Sequence, residues 1–160
     1  MSIWRDIASL GVVVALGVGG LVGVLALTYA ISGSRDASDE NSIHRMLAQV
    51  ASRMNDDLPT MIDSQTRLDT TAAGARRSFY FRYTLLDVSD EGDFDTEQFV
   101  SQVRPFLVNQ LRTHPQMKPF WQSGIVTHFQ YSDEQGVFLC EIVIEPSRLS
   151  KPPRRDGRFL

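Results

Sequence analysis

The sequence predicts a small α+β domain attached to a membrane by one N-terminal helix. Residues 7–31 contain no charged side chain and are mostly apolar. Two later segments place apolar residues at helical spacing, and three others alternate apolar and polar residues as half-buried strands do. We therefore expect the order α-β-β-α-β-β after the membrane segment, with the helices on one face of an antiparallel sheet.

Length and composition limit the classes of protein to which the chain can belong. Its 160 residues have room for one modest domain and an attachment segment. The net charge of −3 excludes a broadly basic nucleic-acid-binding protein, so we expect no nucleic-acid partner. Cys140 is the only cysteine, and no disulfide can form within the chain.

The apolar segment follows a short tail of residues 1–6 and is assigned to residues 7–32 as a transmembrane helix. About 20 apolar residues suffice to cross the hydrocarbon core of a bilayer. A cleaved signal peptide is the alternative, with a small-residue site at Ala30-Ile31-Ser32. Signal peptides have apolar regions of only about 7–15 residues, so we favour the retained helix.

Small residues recur every fourth position within the apolar segment, at Gly11, Ala15, Gly19 and Gly23. This spacing places them on one helix face, where they would allow a second helix to approach closely. One interpretation is therefore association with a membrane-protein partner or with a second copy of the chain. The alternative is that glycine and alanine are simply common in transmembrane helices.

The first half of the soluble part predicts a helix and two extended segments. Residues 33–41 are small and polar and predict a linker. Ser42 can cap a helix that ends before Leu58-Pro59, because the residue before a proline disfavours helical geometry. Residues 60–70 are expected to be extended. Residues 77–88 alternate aromatic and polar side chains and predict a strand.

The second half predicts a capped helix and a hairpin within a domain of residues 42–146. Asp95 and Gln98 form a capping-box pattern, and Phe94 and Phe99 occupy the two positions of a hydrophobic staple. The helix should end near His114. Two strands separated by SDEQG follow. Residues 147–160 are basic and rich in proline, and predict a flexible tail.

No pattern for catalysis, for metal binding or for a cofactor is visible. His44, His114 and His128 lie in different elements and lack the spacing of paired metal ligands. Cys140 lies within an apolar strand, which favours a buried structural thiol. We expect no enzyme and no cofactor. A hydrolase that assembles His128 with Asp133 in space remains an alternative.

The segment LPTMIDSQTRLD contains two carboxylates and an arginine, Asp63, Arg67 and Asp69. In an unbroken strand the three would share the outer face, with Ile62 and Leu68 toward the core. The carboxylates could then flank the guanidinium as an ion-pair network. The set either locks a loop or forms a contact for a charged partner.

The basic tail offers a second candidate contact. Arg154, Arg155 and Arg158 could bind anionic lipid head groups or a charged partner if the tail reaches a membrane surface. A solvated terminus that keeps the protein soluble is the alternative interpretation.

Several motifs resemble those of a family of small, uncharacterised bacterial envelope proteins. The matches are LPTMIDSQTRLD, FRYTLLD, PFLVNQLRTHPQMKPFWQSG and HFQYSDEQG, which together cover about residues 58–145. Members often carry a cysteine near the hairpin or after the P-x-L-x-N-Q helix. Here that helix ends in Leu111-Arg112 instead, so any disulfide is absent. The resemblance implies an exported α+β domain and no particular activity.

These observations predict a single-pass protein of the bacterial inner membrane, with a cytoplasmic N-terminus and a periplasmic domain. Its expected partners are membrane lipid and a membrane protein or a second copy of itself. The leading hypothesis is an accessory or assembly subunit of a larger membrane complex. The alternatives are a tethered ligand-binding or sensing module, with a pocket among Phe79, Phe81, Trp121 and Phe129, and a component of a secretion machine.

Overall fold

The computed structural model describes residues 37–88, 94–115 and 117–150. The predicted transmembrane helix, the first part of the predicted linker and residues 151–160 of the predicted tail lie outside these stretches. Within them, no helix combines the length and the apolar character that crossing a membrane requires.

Four helices and five strands make up the described part of the chain. In chain order they are α1 (Ala37–Asn55), β1 (Thr60–Met61), β2 (Thr66–Ala73), β3 (Ser78–Leu85), α2 (Thr96–Thr113), α3 (Lys118–Gln122), β4 (Val126–Ser132), β5 (Phe138–Ile144) and α4 (Pro146–Ser150). Helix α1 therefore begins before the predicted cap Ser42, and its first turn occupies part of the predicted linker.

The strands form one mixed sheet whose spatial order follows the chain, β1-β2-β3-β4-β5. The prediction of an antiparallel sheet is wrong at its centre, because β3 and β4 pair in parallel. Parallel neighbours require a long crossover connection, and α2 and α3 together provide it. The other three strand pairs are antiparallel, as expected.

A single core lies on one face of the sheet, as the sequence predicted. Strand β3 contributes Phe79, Phe81, Tyr83 and Leu85 to it, and the buried side chains of the helices belong to the same cluster. The predicted faces of β4 are also correct, since Thr127, Phe129 and Tyr131 are buried. Alternation with the buried Cys140 and Ile142 would place Phe138 in this core, but it is 60% exposed, next to an irregularity in the pairing of β4 with β5.

The core is filled by aromatic rings where a ligand pocket was predicted. Phe79 packs edge-on against Phe81 and Phe120, with ring centroids 5.2 Å away in both cases. Phe81 stacks on Phe129 at 5.3 Å. Rings in mutual contact leave little room for a bound molecule, so this packing counts against the ligand-binding alternative.

Two tyrosines from adjacent strands are buried on the same face, next to Phe81 and Phe129 along β3 and β4. Tyr83 and Tyr131 stack with their centroids 5.2 Å apart, and both are buried. The hydroxyl of Tyr83 has no hydrogen-bond partner among the described residues. Burial raises the pKa of both phenols, and for Tyr131 the neighbouring Tyr83, Cys140 and Asp63 raise it further.

Helix α1 closes the free edge of β2. The side chain of Asn55 accepts a hydrogen bond from the backbone nitrogen of Thr71 at 2.8 Å and donates to its carbonyl oxygen at 3.0 Å. The hydroxyl of Thr71 also donates to Asn55, at 3.0 Å. An amide side chain thus takes the place of a neighbouring strand where the two-residue β1 has ended.

Helix α2 begins as the sequence predicted. Asp95 caps it by accepting from the backbone nitrogen of Gln98 at 2.8 Å, and the rings of Phe94 and Phe99 lie 5.2 Å apart. Near its other end, Arg112 donates to the carbonyl oxygens of Arg148 and Leu149 in α4. The predicted flexible tail therefore starts too early, because residues 146–150 are helical and docked on α2.

Candidate interaction face

The sheet face opposite the core carries a connected set of polar side chains. Alternation along β3, β4 and β5 directs Tyr80, Arg82, His128, Gln130 and Glu141 to this face while their neighbours enter the core. We call these five residues the outer polar cluster. It joins three strands and is the candidate functional site of the described part of the chain.

Hydrogen bonds link the outer polar cluster across the strands. Arg82 Nε donates to Gln130 Oε1 at 3.3 Å, and Gln130 Nε2 donates to Glu141 Oε1 at 3.0 Å. The same carboxylate oxygen lies 3.2 Å from Nδ1 of His128. Glu141 is therefore the shared acceptor that fixes the cluster at β5.

An aromatic stack extends the cluster toward β3. The rings of Tyr80 and His128 lie 4.4 Å apart and 22° from parallel. Gly74 makes room for this arrangement, because a Cβ atom at that position would overlap Cε2 of Tyr80. The tyrosine ring is thus held between Gly74 and His128, where it adds an apolar surface to the polar groups.

A second polar group lies on β2 and β3 of the same sheet. Arg67 Nε donates to Asp69 Oδ1 at 2.5 Å, and the hydroxyl of Thr84 donates to Asp69 Oδ2 at 2.6 Å. Arg67 and Asp69 share the outer face because they lie two apart on β2. The pairing of β2 with β3 is irregular between Leu68 and Thr70, and this shift turns Thr71 into the core. The predicted pair of Arg67 with Asp69 is therefore present.

Asp63 does not belong to that pair. It lies in the turn between β1 and β2, where its Oδ1 accepts from the backbone nitrogen of Gln65 at 2.8 Å. Its Oδ2 is buried without a hydrogen-bond partner among the described residues. The unbroken strand that would have aligned all three residues does not form, because residues 62–65 turn the chain between β1 and β2.

The predicted pairing of His128 with Asp133 is wrong. Asp133 is buried in the β4–β5 loop and accepts from the backbone nitrogens of Gln135 at 3.0 Å and Val137 at 2.7 Å. It shapes the loop, while His128 contacts Glu141 instead. Within the residues that the structure describes, no group of three or more His, Cys, Asp or Glu side chains could hold a metal ion.

Cys140 is a buried core residue, as its strand position predicted. Burial raises the pKa of its thiol to about 11. The thiol therefore stays protonated near neutral pH, which is the opposite of what a catalytic or redox-active cysteine needs.

The remaining candidate residues lie outside the described stretches. They are the helix-packing set Gly11, Ala15, Gly19 and Gly23 and the basic set Arg154, Arg155 and Arg158. The structure thus brings together Arg67 and Asp69 alone among the predicted site residues.

Solved structures that share this fold come from bacterial secretion systems and from a protein described as secreted. The pilotin EpsS of the Vibrio vulnificus type 2 secretion system gives a TM-score of 0.59 at 8% identity, over 73% of this chain and 100% of that one. The Pseudomonas aeruginosa protein described as secreted gives 0.57 at 9%, over 69% and 95%. The type II secretion system pilotin AspS of Vibrio cholerae gives 0.53 at 12%, over 70% and 96%.

Because the sequence identities are low, these similarities show a shared fold alone. No protein-family model and no curated protein matches the chain. The pilotin chains are covered almost completely, so the shared unit is their whole resolved structure and corresponds to most of this chain.

Sequence reasoning overlooked the outer polar cluster although its signal is present. Polar residues alternate with core residues on β3 and β4, and Glu141 interrupts an apolar strand. Recognising them as one cluster requires knowing that β3 and β4 are neighbours in parallel. That neighbour relation is the feature that the sequence pattern did not supply.

Proposed function

We propose that this chain is a non-enzymatic accessory component of a bacterial envelope secretion machine, and that it acts through protein-protein contacts. The observation that carries the proposal is the likeness of its fold to two pilotins, over almost the whole of each pilotin chain. The resemblance of residues 58–145 to small envelope proteins supports an exported domain.

The chemistry of the described residues supports contact rather than catalysis. Cys140 is buried and protonated, His128 is engaged with Glu141, and the apolar face is packed with rings. The outer polar cluster, by contrast, holds donors, acceptors and an aromatic ring together on one face of the sheet. Interfaces between proteins use such combinations, with tyrosine and arginine prominent among their contacts.

We further propose that residues 7–32 remain attached as a single transmembrane helix in the inner membrane, with the domain in the periplasm. The length of the apolar segment supports this tether. Its small-residue face could pack against a partner helix or a second copy, and the basic tail could contact lipid head groups.

Purification from native membranes tests the role. The full chain with an affinity tag, extracted in mild detergent, should elute as a complex larger than its monomer and should bring envelope secretion subunits with it. An isolated monomer without partners, or partners that take no part in secretion, would reject the proposal.

Two matched variants test whether the outer polar cluster is the contact. Arg82→Glu reverses an exposed charge within the cluster, and Arg53→Glu makes the same change on the exposed side of α1. We expect Arg82→Glu to reduce recovery of the secretion subunits by about tenfold, and Arg53→Glu to leave it unchanged. Equal recovery with both variants would remove the cluster from the proposal.

The tether has its own tests. Protease added to intact spheroplasts should digest the domain if it faces the periplasm and should leave it intact if it is cytoplasmic. Gly19→Leu together with Gly23→Leu should weaken helix association if the small face packs. Unchanged association would show that this face is not an interface.

A further inference from the structure

The two edges of the sheet are protected to very different degrees. At one edge β1 has only two residues, and Asn55 then satisfies the backbone of Thr71. His44 Nδ1 lies 3.0 Å from the carbonyl oxygen of Gly74 further along the same edge. At the other edge, the seven-residue β5 pairs only with β4 within the described part of the chain.

The direction of the backbone groups of β5 follows from the pairing of β4. The nitrogen of Val126 donates to the carbonyl oxygen of Arg77 at 2.9 Å, so Val126 and every second residue after it bond toward β3. The residues between them, Thr127, Phe129 and Tyr131, therefore bond toward β5. Their partners there are Ile144, Ile142 and Cys140.

The alternate residues of β5 must consequently direct their N–H and C=O groups away from the sheet. These residues are Glu141 and Val143, whereas Leu139 is the extra residue of a bulge, because Tyr131 pairs with Cys140 and Ser132 pairs with Phe138. The contact of Arg104 agrees with this parity, because its Nη1 donates to the carbonyl oxygen of Val143 at 3.2 Å. Arg104 covers one end of the edge, and no described residue makes the equivalent contact to the backbone of Glu141.

Apolar side chains accompany this open end. Val137 is 55% exposed and Phe138 is 60% exposed, and both precede the bulge at Leu139. Natural proteins usually protect an edge strand with lysine, proline, an inward-pointing charge or a bulge. The bulge at Leu139 is the one such device within β5. Residues 137–144 contain no lysine and no proline, and their single charge, Glu141, points to the outer face within the polar cluster.

The charge of the hairpin indicates the chemistry of a strand that would fit. Residues 125–145 contain Asp133, Glu134, Glu141 and Glu145 and no lysine or arginine. A strand that carries basic side chains would meet a complementary field here. A second copy of β5 would instead bring like carboxylates together across the new pair, which is unfavourable.

We propose that β5 is a docking edge for a basic, extended segment of a partner protein, which would join the sheet as a sixth strand. Backbone hydrogen bonds to Glu141 and to the N–H group of Val143 would hold it, an apolar side chain would cover Phe138, and a basic one would face Glu141. The proposal rests on the proposed function in one respect, that the domain works by contacting other proteins.

A synthetic peptide that alternates valine and lysine serves as the probe, and the full chain in mild detergent serves as the receptor. Fluorescence anisotropy measures the affinity, and hydrogen exchange with mass spectrometry locates the protected amides. Two comparison peptides accompany the probe. One carries N-methyl groups on alternate residues, which removes backbone donors, and the other has glutamate in place of lysine.

Binding should protect the amides of β5 from exchange. N-methylation of the peptide should weaken binding by about tenfold or more, because backbone hydrogen bonds supply most of the affinity in strand addition. Phe138→Ser should weaken it by about three- to tenfold. Met61→Ser is the matched control, since Met61 is 49% exposed at the opposite edge, and it should change nothing.

Several results would overturn the proposal. One is that the N-methylated or the glutamate peptide binds as tightly as the probe. Another is that binding protects the amides of Tyr80 or Arg82 from exchange instead of those of β5. A third is that the probe binds only after residues 151–160 are removed. A dimer that Leu139→Pro converts to a monomer would identify a second copy as the occupant. If secretion subunits co-purify but no peptide binds at β5, the docking edge is wrong and the proposed function stands.

Discussion

Replacing Tyr83, whose hydroxyl is buried, with phenylalanine should stabilise the protein. The ring of Tyr83 is held in the core by Tyr131 and by Phe129, with centroids 5.2 Å and 6.4 Å away. Its oxygen has lost water on folding and has gained no hydrogen-bond partner among the described residues. Tyr83→Phe removes that oxygen and keeps the ring contacts.

The magnitude follows from two opposing effects. A buried polar group without a partner destabilises the folded state by about 1–3 kcal/mol. Removing one oxygen atom leaves a small void, which takes back part of this gain. We expect the variant to be more stable by about 1 kcal/mol, which for a domain of this size raises Tm by about 3–6 °C.

The pH dependence gives a second signature of the same group. Burial raises the pKa of the Tyr83 phenol in the folded protein above its value in the unfolded chain, so the folded state holds more protons at alkaline pH. The contribution of this phenol to the free energy of unfolding is therefore fully present below the ordinary tyrosine pKa of about 10. It falls as the pH rises above that value. The advantage of Tyr83→Phe over the parent protein should grow above that pH.

Chemical unfolding followed by circular dichroism, at pH 7 and above pH 10, measures both effects. Tyr80→Phe is the matched control, because Tyr80 lies on the outer face and its loss of a hydroxyl should change the free energy of unfolding by less than about 0.5 kcal/mol. A Tyr83→Phe variant that is less stable than the parent at pH 7 would refute the reasoning. It would mean that the hydroxyl is hydrogen-bonded in solution.

Three further predictions concern local features of the fold. Asn55→Ala should lower the free energy of unfolding by about 2–3 kcal/mol, because the backbone nitrogen of Thr71 loses its acceptor and its carbonyl oxygen loses its donor. Asn109→Ala, on the exposed side of α2, is the control, and an equal loss with both would contradict the prediction. Asp95→Ala should remove the N-cap of α2 and lower stability by about 1 kcal/mol in the same unfolding assay; an unchanged midpoint would contradict it. Cys140, whose thiol pKa is raised to about 11, should react with iodoacetamide at pH 8 about a hundredfold more slowly in the folded protein than in denaturant, as mass spectrometry can measure; equal rates would show that the thiol is accessible and ionised.

Local signals in the sequence predicted most elements of the described fold. The capping box at Asp95 and the staple of Phe94 with Phe99 appear as expected, because neighbouring residues decide such features. The alternation of β3 likewise identified its core side chains. The parallel pairing of β3 with β4 was missed because strand alternation is the same whichever direction a neighbour runs.

The candidate site was harder to predict for a similar reason. Sequence spacing suggested one row of Asp63, Arg67 and Asp69, but the chain turns between the first two residues. Arg67 and Asp69 do meet, because they lie two apart on one strand. The outer polar cluster joins residues as far as 48 positions apart, as with Arg82 and Gln130, and no local pattern reports such a contact.

The parallel pairing at the centre of the sheet also has a consequence for how the chain reaches its native state. Strand β3 emerges from the ribosome well before its neighbour β4, and the two cannot pair until α2 and α3 have been made. Pairings between distant segments slow folding, because the entropic cost of closing a long loop comes before the stabilising contacts form. Until then one edge of β3 and the rings of Phe79 and Phe81 are uncovered, so a partly folded chain exposes surface that is prone to aggregation.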